Sequence, residues 1–432
     1  MLKRLLMSVI AISISTAVYA EINFDKGKSF SLKDEMAKNE ISSAISQDKK
    51  TKLSKEWTIM VYVNAKNDLE KFGMKDINEM EMIGSSDRIN IVVELGRMDG
   101  FDASEGDWTG AKRYLIRKDN NTNAITSPVL FETDKVDMGD WKHLVDFGKW
   151  AKAKYPAKKY MLIVWNHGSG WKKSSKSLVD KGLSYDFETN NHFTTPQLGM
   201  ALKEIGRLDV YGSDACLMQM VSIVYEIKDG ITYIVGSEET EPGDGYTYNT
   251  MLGPIVSNPE ITPYKAAKVL VDAYSDHYQS IDEGSTQSFI KTSSLEKLLT
   301  LMNDWAYAAT QSKEKALIKR AVYKAQRYAE PDNKDLYHFL SLVLAETLNA
   351  DVKEKGEALM EYIKKSVVGY SRYTNSSGGW WGPVDYSNSH GIAVYLPKVW
   401  FDPTYNELKI SEHSDWDKFI NWYLKSLSED KI

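Results

Sequence analysis

One cysteine, Cys216, stands in a chain of 432 residues, and that scarcity removes two protein classes at once. It excludes an intramolecular disulfide and any zinc site built on several thiolates. Beyond the N-terminus, no apolar run approaches the roughly 18 to 20 residues that a membrane-spanning helix requires. An excess of positive charge is also missing: 54 Lys and Arg face 60 Asp and Glu, a net charge of −6, which argues against nucleic acid as a partner. The chain holds no His-Glu-x-x-His, no Walker phosphate loop and no Gly-x-Ser-x-Gly elbow. Gly243-Asp244-Gly245 lacks the third glycine and the context of a dinucleotide site. His143 and His338 fall in predicted helices, His192, His277, His390 and His413 lack metal-ligand spacing, and no cofactor is required. A hydrophobic content of 42% is what remains as a positive signal, and it sets wholesale disorder aside.

The N-terminus carries an address. Met1-Leu2-Lys3-Arg4 is a short basic start, followed by an apolar run from Leu5 to Ile14 and then Ala17-Val18-Tyr19-Ala20. This is the layout of a cleavable signal peptide over residues 1–20, so an exported protein is expected, periplasmic or secreted. A short buried helix is the competing assignment. No cysteine follows the junction, which speaks against lipid attachment there. Residues 21–56 are polar and Lys/Ser/Asp-rich, the composition of a leader or pro-segment, or of a tail without a role.

Order is expected from Trp57. Residues 57–64 form a near-continuous apolar, β-branched run, the pattern of a strand buried on both faces. Further strands are expected at 89–95, 113–117, 160–165, 209–212 and 231–236, with helices at 70–83, about 140–153, 196–205 and 216–228. The alternation predicts a doubly wound α/β core over residues 57–253. Residues 254–432 read as mainly helical, with amphipathic segments near 262–280, 293–312, 314–328, 335–349 and 353–366. Strand-like pieces at 287–291 and 390–396 complete or flank the core.

Ligands of open α/β sheets bind outside the carboxyl ends of the strands. Two such ends carry unusual residues: one strand runs into Asn166-His167-Gly168-Ser169-Gly170-Trp171, the next into Ser213-Asp214-Ala215-Cys216. In a parallel sheet both loops leave the same edge, so His167 and Cys216 become neighbours. A thiol needs a base to act as a nucleophile at neutral pH, and an imidazole supplies it. With Cys216 opening a predicted helix, the helix N-terminus is expected to lower its pKa further. The N–H groups of Gly168 and Cys216 form the expected oxyanion hole. Taken singly, Cys216 reads equally as a small core residue and His167 as a satisfied turn residue; the pairing favours catalysis.

The segments WTIMVYVNAKNDLE, LIVWNHGSGW, DVYGSDACLMQ and IVGSEETEPGDGY resemble the conserved blocks of the clostripain family of cysteine peptidases, of the caspase, legumain and gingipain clan. The likeness covers residues 57–251 well, and extends to the strand 390–397. It implies a caspase-like α/β/α sandwich with a mostly parallel central sheet, and a Cys216–His167 dyad. The block Ala65-Lys66-Asn67-Asp68 departs from the Asp-Asn-Asn type run of relatives, which leaves open the structural role of that acid.

The resemblance also implies cleavage after Arg or Lys. A pocket for such a cation needs a buried carboxylate, and Asp214 and Asp244 match acidic positions of the family's pocket. The alternatives are a helix N-cap for Asp214 and a turn residue for Asp244; Glu238, Glu239 and Glu241 share the role or are solvated. Lys181-Gly182 matches the junction at which relatives cut themselves, with Lys172, Lys173 and Lys176 as alternatives and an ordinary exposed loop as the competing reading. Calcium dependence occurs in some relatives, although no calcium loop is legible here. Trp380-Trp381 floors a cleft or packs the C-terminal region on the sheet. The sequence reading is thus an exported, self-processed cysteine endopeptidase acting on peptides with Arg or Lys before the cut. A thiol amidase or transpeptidase, and a non-catalytic surface-binding protein on the same fold, are the alternatives.

Overall fold

In the computed structural model, which describes residues 54–172, 182–379 and 382–425, the first strand is β1 (Lys55–Asn64), buried along nearly its whole length. Only a strand covered on both faces and paired on both edges tolerates such a sequence. Around it lie β2 (Ile89–Arg97), β3 (Gly110–Leu115), β4 (Val129–Thr133), β5 (Ala157–Trp165), β6 (Leu208–Asp214), β7 (Ile231–Gly236), β8 (Ser285–Lys291) and β9 (Val368–Thr374). They form one nine-stranded sheet in the order β9-β8-β7-β6-β5-β1-β2-β3-β4. The five central strands, β2, β1, β5, β6 and β7, are parallel. An antiparallel pair extends the sheet at each side.

Side chains alternate between the faces, as the strand period requires. Ile59, Val61 and Val63 pack in a cluster with α1 (Glu70–Glu81), while Met60 and Tyr62 join the opposite cluster with α2 (Trp141–Lys154), α3 (Thr195–Ile205) and α4 (Val221–Ile227). The first face is completed by α5 (Tyr248–Ser257) and α6 (Pro263–Ser280). The second is thickened by α7 (Leu295–Gln311), α8 (Lys315–Lys324), α9 (Leu336–Glu346), α10 (Ala350–Tyr362), α11 (Lys409–His413) and α12 (Trp416–Leu424). The result is the expected α/β/α sandwich. Among the described residues, no helix is long and apolar enough to cross a membrane.

Several expectations change in detail. The strand-like piece at 390–396 shrinks to Ala393–Tyr395, which pairs with Asn333–Asp335 and stays outside the main sheet. The helix expected to open at Cys216 begins only at Val221. Residues 215–220 are drawn into a turn and an extended stretch, because the Leu217 N–H donates to Glu239 O (3.0 Å) and the Gln219 N–H to Ser237 O (2.9 Å), while Met220 bridges Ala393. Backbone groups engaged this way cannot also close helical turns.

Candidate active site

β1 is the point where the sheet reverses its order of addition, β2 on one side and β5 on the other, so the ligand-accepting crevice opens at the carboxyl ends of β1, β5 and β6. Trp165 pairs with Asp214 at the last register position of β5 and β6. Asn166–His167–Gly168 and Ala215–Cys216 therefore emerge side by side. Asn166 pins its own turn: its Oδ1 accepts from the Tyr185 N–H (2.7 Å) and its Nδ2 donates to Asn64 O (2.5 Å). Gly168 lies so close to the neighbouring loop that a Cβ built on it would fall 2.5 Å from Cys216 O and 2.9 Å from Cys216 N.

Cys216 is half-buried, in a turn. Its sulfur accepts a hydrogen bond from the Glu241 N–H (3.2 Å) and another from the Gly168 N–H. Burial pushes the thiol up, and this outweighs those two donors, with the charges of Glu239 and Asp214 acting in the same sense as burial. The expectation of a thiol acidified by a helix N-terminus is corrected here: Cys216 lies outside α4, and the resting group is a neutral thiol. Directly after it, Leu217 holds φ at 63°, a left-handed conformation that a branched side chain adopts only when its surroundings impose it.

His167 Nε2 is 2.8 Å from Asp68 Oδ1, and its ring stacks on Phe187, with ring planes 9° apart and centroids 6.3 Å apart. Phe101 meets Phe187 edge-on. The imidazole is hydrogen-bonded to Asp68, not to the thiol. Asp68 belongs to the block where the chain departs from its relatives, yet the place of that block is clear. Lys66 is fully buried, 3.1 Å from Asp186, ion-paired to Glu188 and donating to Val136 O (2.6 Å). The Asn67 Nδ2 donates to Tyr185 O (2.9 Å). The β1 loop is thus fastened to the 183–193 hairpin beside His167. Sequence reading passed over Asp68 as a partner; the available signal was an acid just past the first buried strand.

Asp214 is buried; its carboxylate accepts from the Tyr246 N–H (3.1 Å) and the Tyr248 hydroxyl (2.9 Å). It does not cap the helix after it, because Met220 holds that position. Burial pushes Asp214 up to about 7, against those hydrogen bonds. Glu241 is pushed well up too, by burial and then by the charge of Asp214 beside it. Two adjacent buried carboxyls that resist double ionisation hold one proton between them. Asp76, bonded to the Trp165 indole N–H (2.7 Å), is raised by burial and by the same Asp214 charge.

The other acids separate. Asp244 is bonded to Lys75 of α1 (3.0 Å) and His277 of α6 (3.3 Å), and Lys75 holds it below the usual carboxylate range. Glu239 accepts from the Ala329 N–H (2.9 Å) and the Tyr386 hydroxyl (3.0 Å), and Glu238 from the Gly391 N–H (3.1 Å). Neither is solvated; both fasten the C-terminal region to the loop after β7. Lys172 is held by Glu330 (2.8 Å) and Asp332 (2.7 Å). Lys173, Lys176, Lys181, Trp380 and Trp381 lie outside the described residues. Gly182 is described: its N–H is shared by Ser169 Oγ (2.8 Å) and the Tyr185 hydroxyl (2.5 Å). Among the described residues, no cluster of three or more His, Cys, Asp or Glu has the geometry to hold a metal ion.

Fold and site together define an α/β/α protein with a thiol and an imidazole at the carboxyl ends of adjacent central strands. The chain belongs to the clostripain family, whose model matches residues 61–423, as the sequence blocks imply. Clostripain of Hathewaya histolytica is 27% identical over 238 residues, which is 50% of this chain and 45% of that protein; the match thus spans less than half the length of this relative. A secreted cysteine protease from Bacteroides thetaiotaomicron, solved with an irreversible peptide inhibitor, shares the fold with a TM-score of 0.63 at 21% identity, over 84% of this chain and 99% of that one. An inactive zymogen protease from Parabacteroides distasonis gives 0.61 at 19% identity, over 86% and 97%.

Proposed function

We propose that this chain is an exported cysteine endopeptidase that cleaves after Arg or Lys, with Cys216 as nucleophile and His167 as base. The observation that carries the reading is the placement of Cys216 and His167 at adjacent strand ends, with the buried Asp214–Glu241 carboxyl pair next to the nucleophile. His167 takes the thiol proton as the sulfur attacks the scissile carbonyl carbon. The Gly168 and Cys216 N–H groups receive the oxyanion. Collapse of the tetrahedral species passes the proton to the leaving amine and leaves a thioester. Water, deprotonated by His167, then hydrolyses the thioester and frees the thiol. The basic start, apolar run and small residues at 17 and 20 support export.

The cation of the substrate meets the Asp214–Glu241 pair and displaces its shared proton; Asp244 takes part only by exchanging Lys75 for the substrate. The test is a panel of fluorogenic peptides ending in Arg, Lys, Asp and Asn. Turnover is expected for the first two; turnover confined to Asp or Asn peptides sinks the acidic pocket. With Asp214 at about 7, KM for Arg and Lys peptides is expected to rise as pH falls below 7, because the pocket loses its carboxylate. Asp214→Asn should raise that KM about tenfold or more. Stability moves the other way. A carboxyl whose folded pKa lies above the unfolded value of 3.8 contributes stability at low pH that is lost as pH rises through the folded pKa. Asp214→Asn should therefore raise the melting temperature at pH 8 while weakening substrate, and a lowered melting temperature there would contradict the buried charge.

Self-processing at Lys181–Gly182 belongs to the same reading. It is supported by the family resemblance and by the lysines that the sequence carries between His167 and Gly182. Wild-type protein is expected to resolve into two fragments on a denaturing gel, with Gly182 as the new N-terminus by Edman sequencing. Lys181→Ala and Cys216→Ala should each leave it intact, and fragments in the Cys216→Ala sample would assign the cut to another protease.

A further inference from the structure

We infer that Asp68 is a positioning residue for His167: it fixes the imidazole tautomer, so that the working unit is Asp68–His167–Cys216 rather than a dyad. This rests on the peptidase reading above, because a positioned base matters only if His167 is the base.

The argument starts from hydrogen-bond chemistry. An ionised carboxylate accepts and does not donate, so the 2.8 Å contact between Asp68 Oδ1 and His167 Nε2 places the proton of the neutral ring on Nε2. Nδ1 is then the lone basic nitrogen, the atom that takes the thiol proton. Without the carboxylate the ring divides between two tautomers, one of which has no lone pair on Nδ1. The carboxylate also stabilises the imidazolium formed when the thiol proton arrives.

The surroundings hold the pair in place. Val63 of β1 pairs with Trp165 of β5, so the loop after β1 stands beside the loop of His167. Asn67 locks that loop: its Oδ1 accepts from the Leu69 N–H (2.9 Å) and its Nδ2 donates to Asn64 O (3.2 Å) and Tyr185 O. The Phe187 ring lies parallel to the imidazole, with centroids 6.3 Å apart. A surface ion pair contributes little to stability, and Asp68 is 55% exposed at its side chain. Orientation, not fold stability, is what this contact supplies. The charged and titratable groups of the described loops around His167 include Lys66 and Asp68 on the β1 loop, Tyr185, Asp186, Glu188 and His192 of the hairpin (the two acids ion-paired to Lys66), Asp214 at the end of β6 and Cys216 after it, and Glu239 and Glu241 after β7. Among the described residues, Asp68 alone bonds the imidazole.

Asp68→Asn should lower kcat on a Lys or Arg peptide about tenfold to a hundredfold with KM nearly unchanged, a smaller loss than for a buried triad acid. Asp68→Glu should restore part of kcat. Nitrogen NMR on ring-labelled histidine in the Cys216→Ala protein reads the tautomer without any turnover: Nε2–H is expected with Asp68 present, and a mixture after Asp68→Asn. An unchanged kcat together with an unchanged tautomer overturns the inference while leaving the peptidase intact. Full activity in His167→Ala removes the underlying reading instead.

Discussion

Cys216→Ala should reduce peptide hydrolysis by roughly 10⁴- to 10⁶-fold while the protein stays folded. The size of the loss follows from the role proposed for the sulfur. A covalent route replaces direct attack of water on an amide by two easier steps, and nothing else beside His167 offers a nucleophile of comparable strength. The fold should be indifferent. The thiol is half-buried, and its removal costs two weak contacts, from the Glu241 N–H (3.2 Å) and the Gly168 N–H to sulfur, a loss of about 1 kcal/mol or less for each. The strained turn persists, because its conformation is imposed by Leu217 N–H on Glu239 O and Gln219 N–H on Ser237 O, neither of which involves sulfur. Initial rates and a thermal melt of the same preparation separate the two effects. Activity above about one hundredth of wild type in a protein free of contaminating protease contradicts Cys216 as the nucleophile. An unfolded variant would instead show that the turn depends on the thiol.

How much of this was legible before the structure depends on how local the determining forces are. β1, β5, β6 and β7 announce themselves because strands buried on both faces must be apolar throughout, and Val61, Ile163, Val210 and Val235 are buried without remainder. That reading extends to the site, since parallel strands deliver their carboxyl ends to one edge whatever the side chains do. Edge strands carry no such mark. Val129–Thr133 is apolar but short and largely exposed, and Val368–Thr374 is polar and half-buried, so neither shows the long buried run of a central strand.

The helix at 216 failed for a different reason. The spacing of Met220, Val221, Val224 and Ile227 is helical and was read correctly from Val221 onward. Leu217 fits the same period by coincidence, while its backbone is claimed by a segment some twenty residues further on. The thiol pKa inverted with it, from helix-lowered to burial-raised. Side-chain partners were the least legible of all. Asp244 meets Lys75 and His277, and Asp68 meets His167, across strand orders that no local pattern encodes.

Gly168→Ala is the second large effect expected, a fall in kcat of roughly 10²- to 10³-fold, comparable to deleting an oxyanion donor. Here the substitution adds atoms rather than removing chemistry. A methyl at this position would sit 2.5 Å from Cys216 O, 2.9 Å from Cys216 N and 3.0 Å from Ala215 Cβ, and two of those three are backbone atoms that no rotamer change can move. Neither loop has slack. The 166–168 turn is anchored through the Asn166 side chain to Tyr185 and Asn64, and the 215–219 turn through its N–H groups to the 237–239 segment. The two strands are in register up to Trp165 and Asp214, so the strain is taken up by the loops themselves. Their parting carries the Gly168 N–H away from the sulfur it now touches, and hence from the oxyanion proposed to form there. The overpacking should also cost about 1–3 kcal/mol of stability, a modest drop in melting temperature for a domain of this size. The informative pattern is a deep loss of kcat in a protein whose circular dichroism is native. Wild-type kcat in Gly168→Ala would mean that the two loops part freely, and that the oxyanion is held elsewhere.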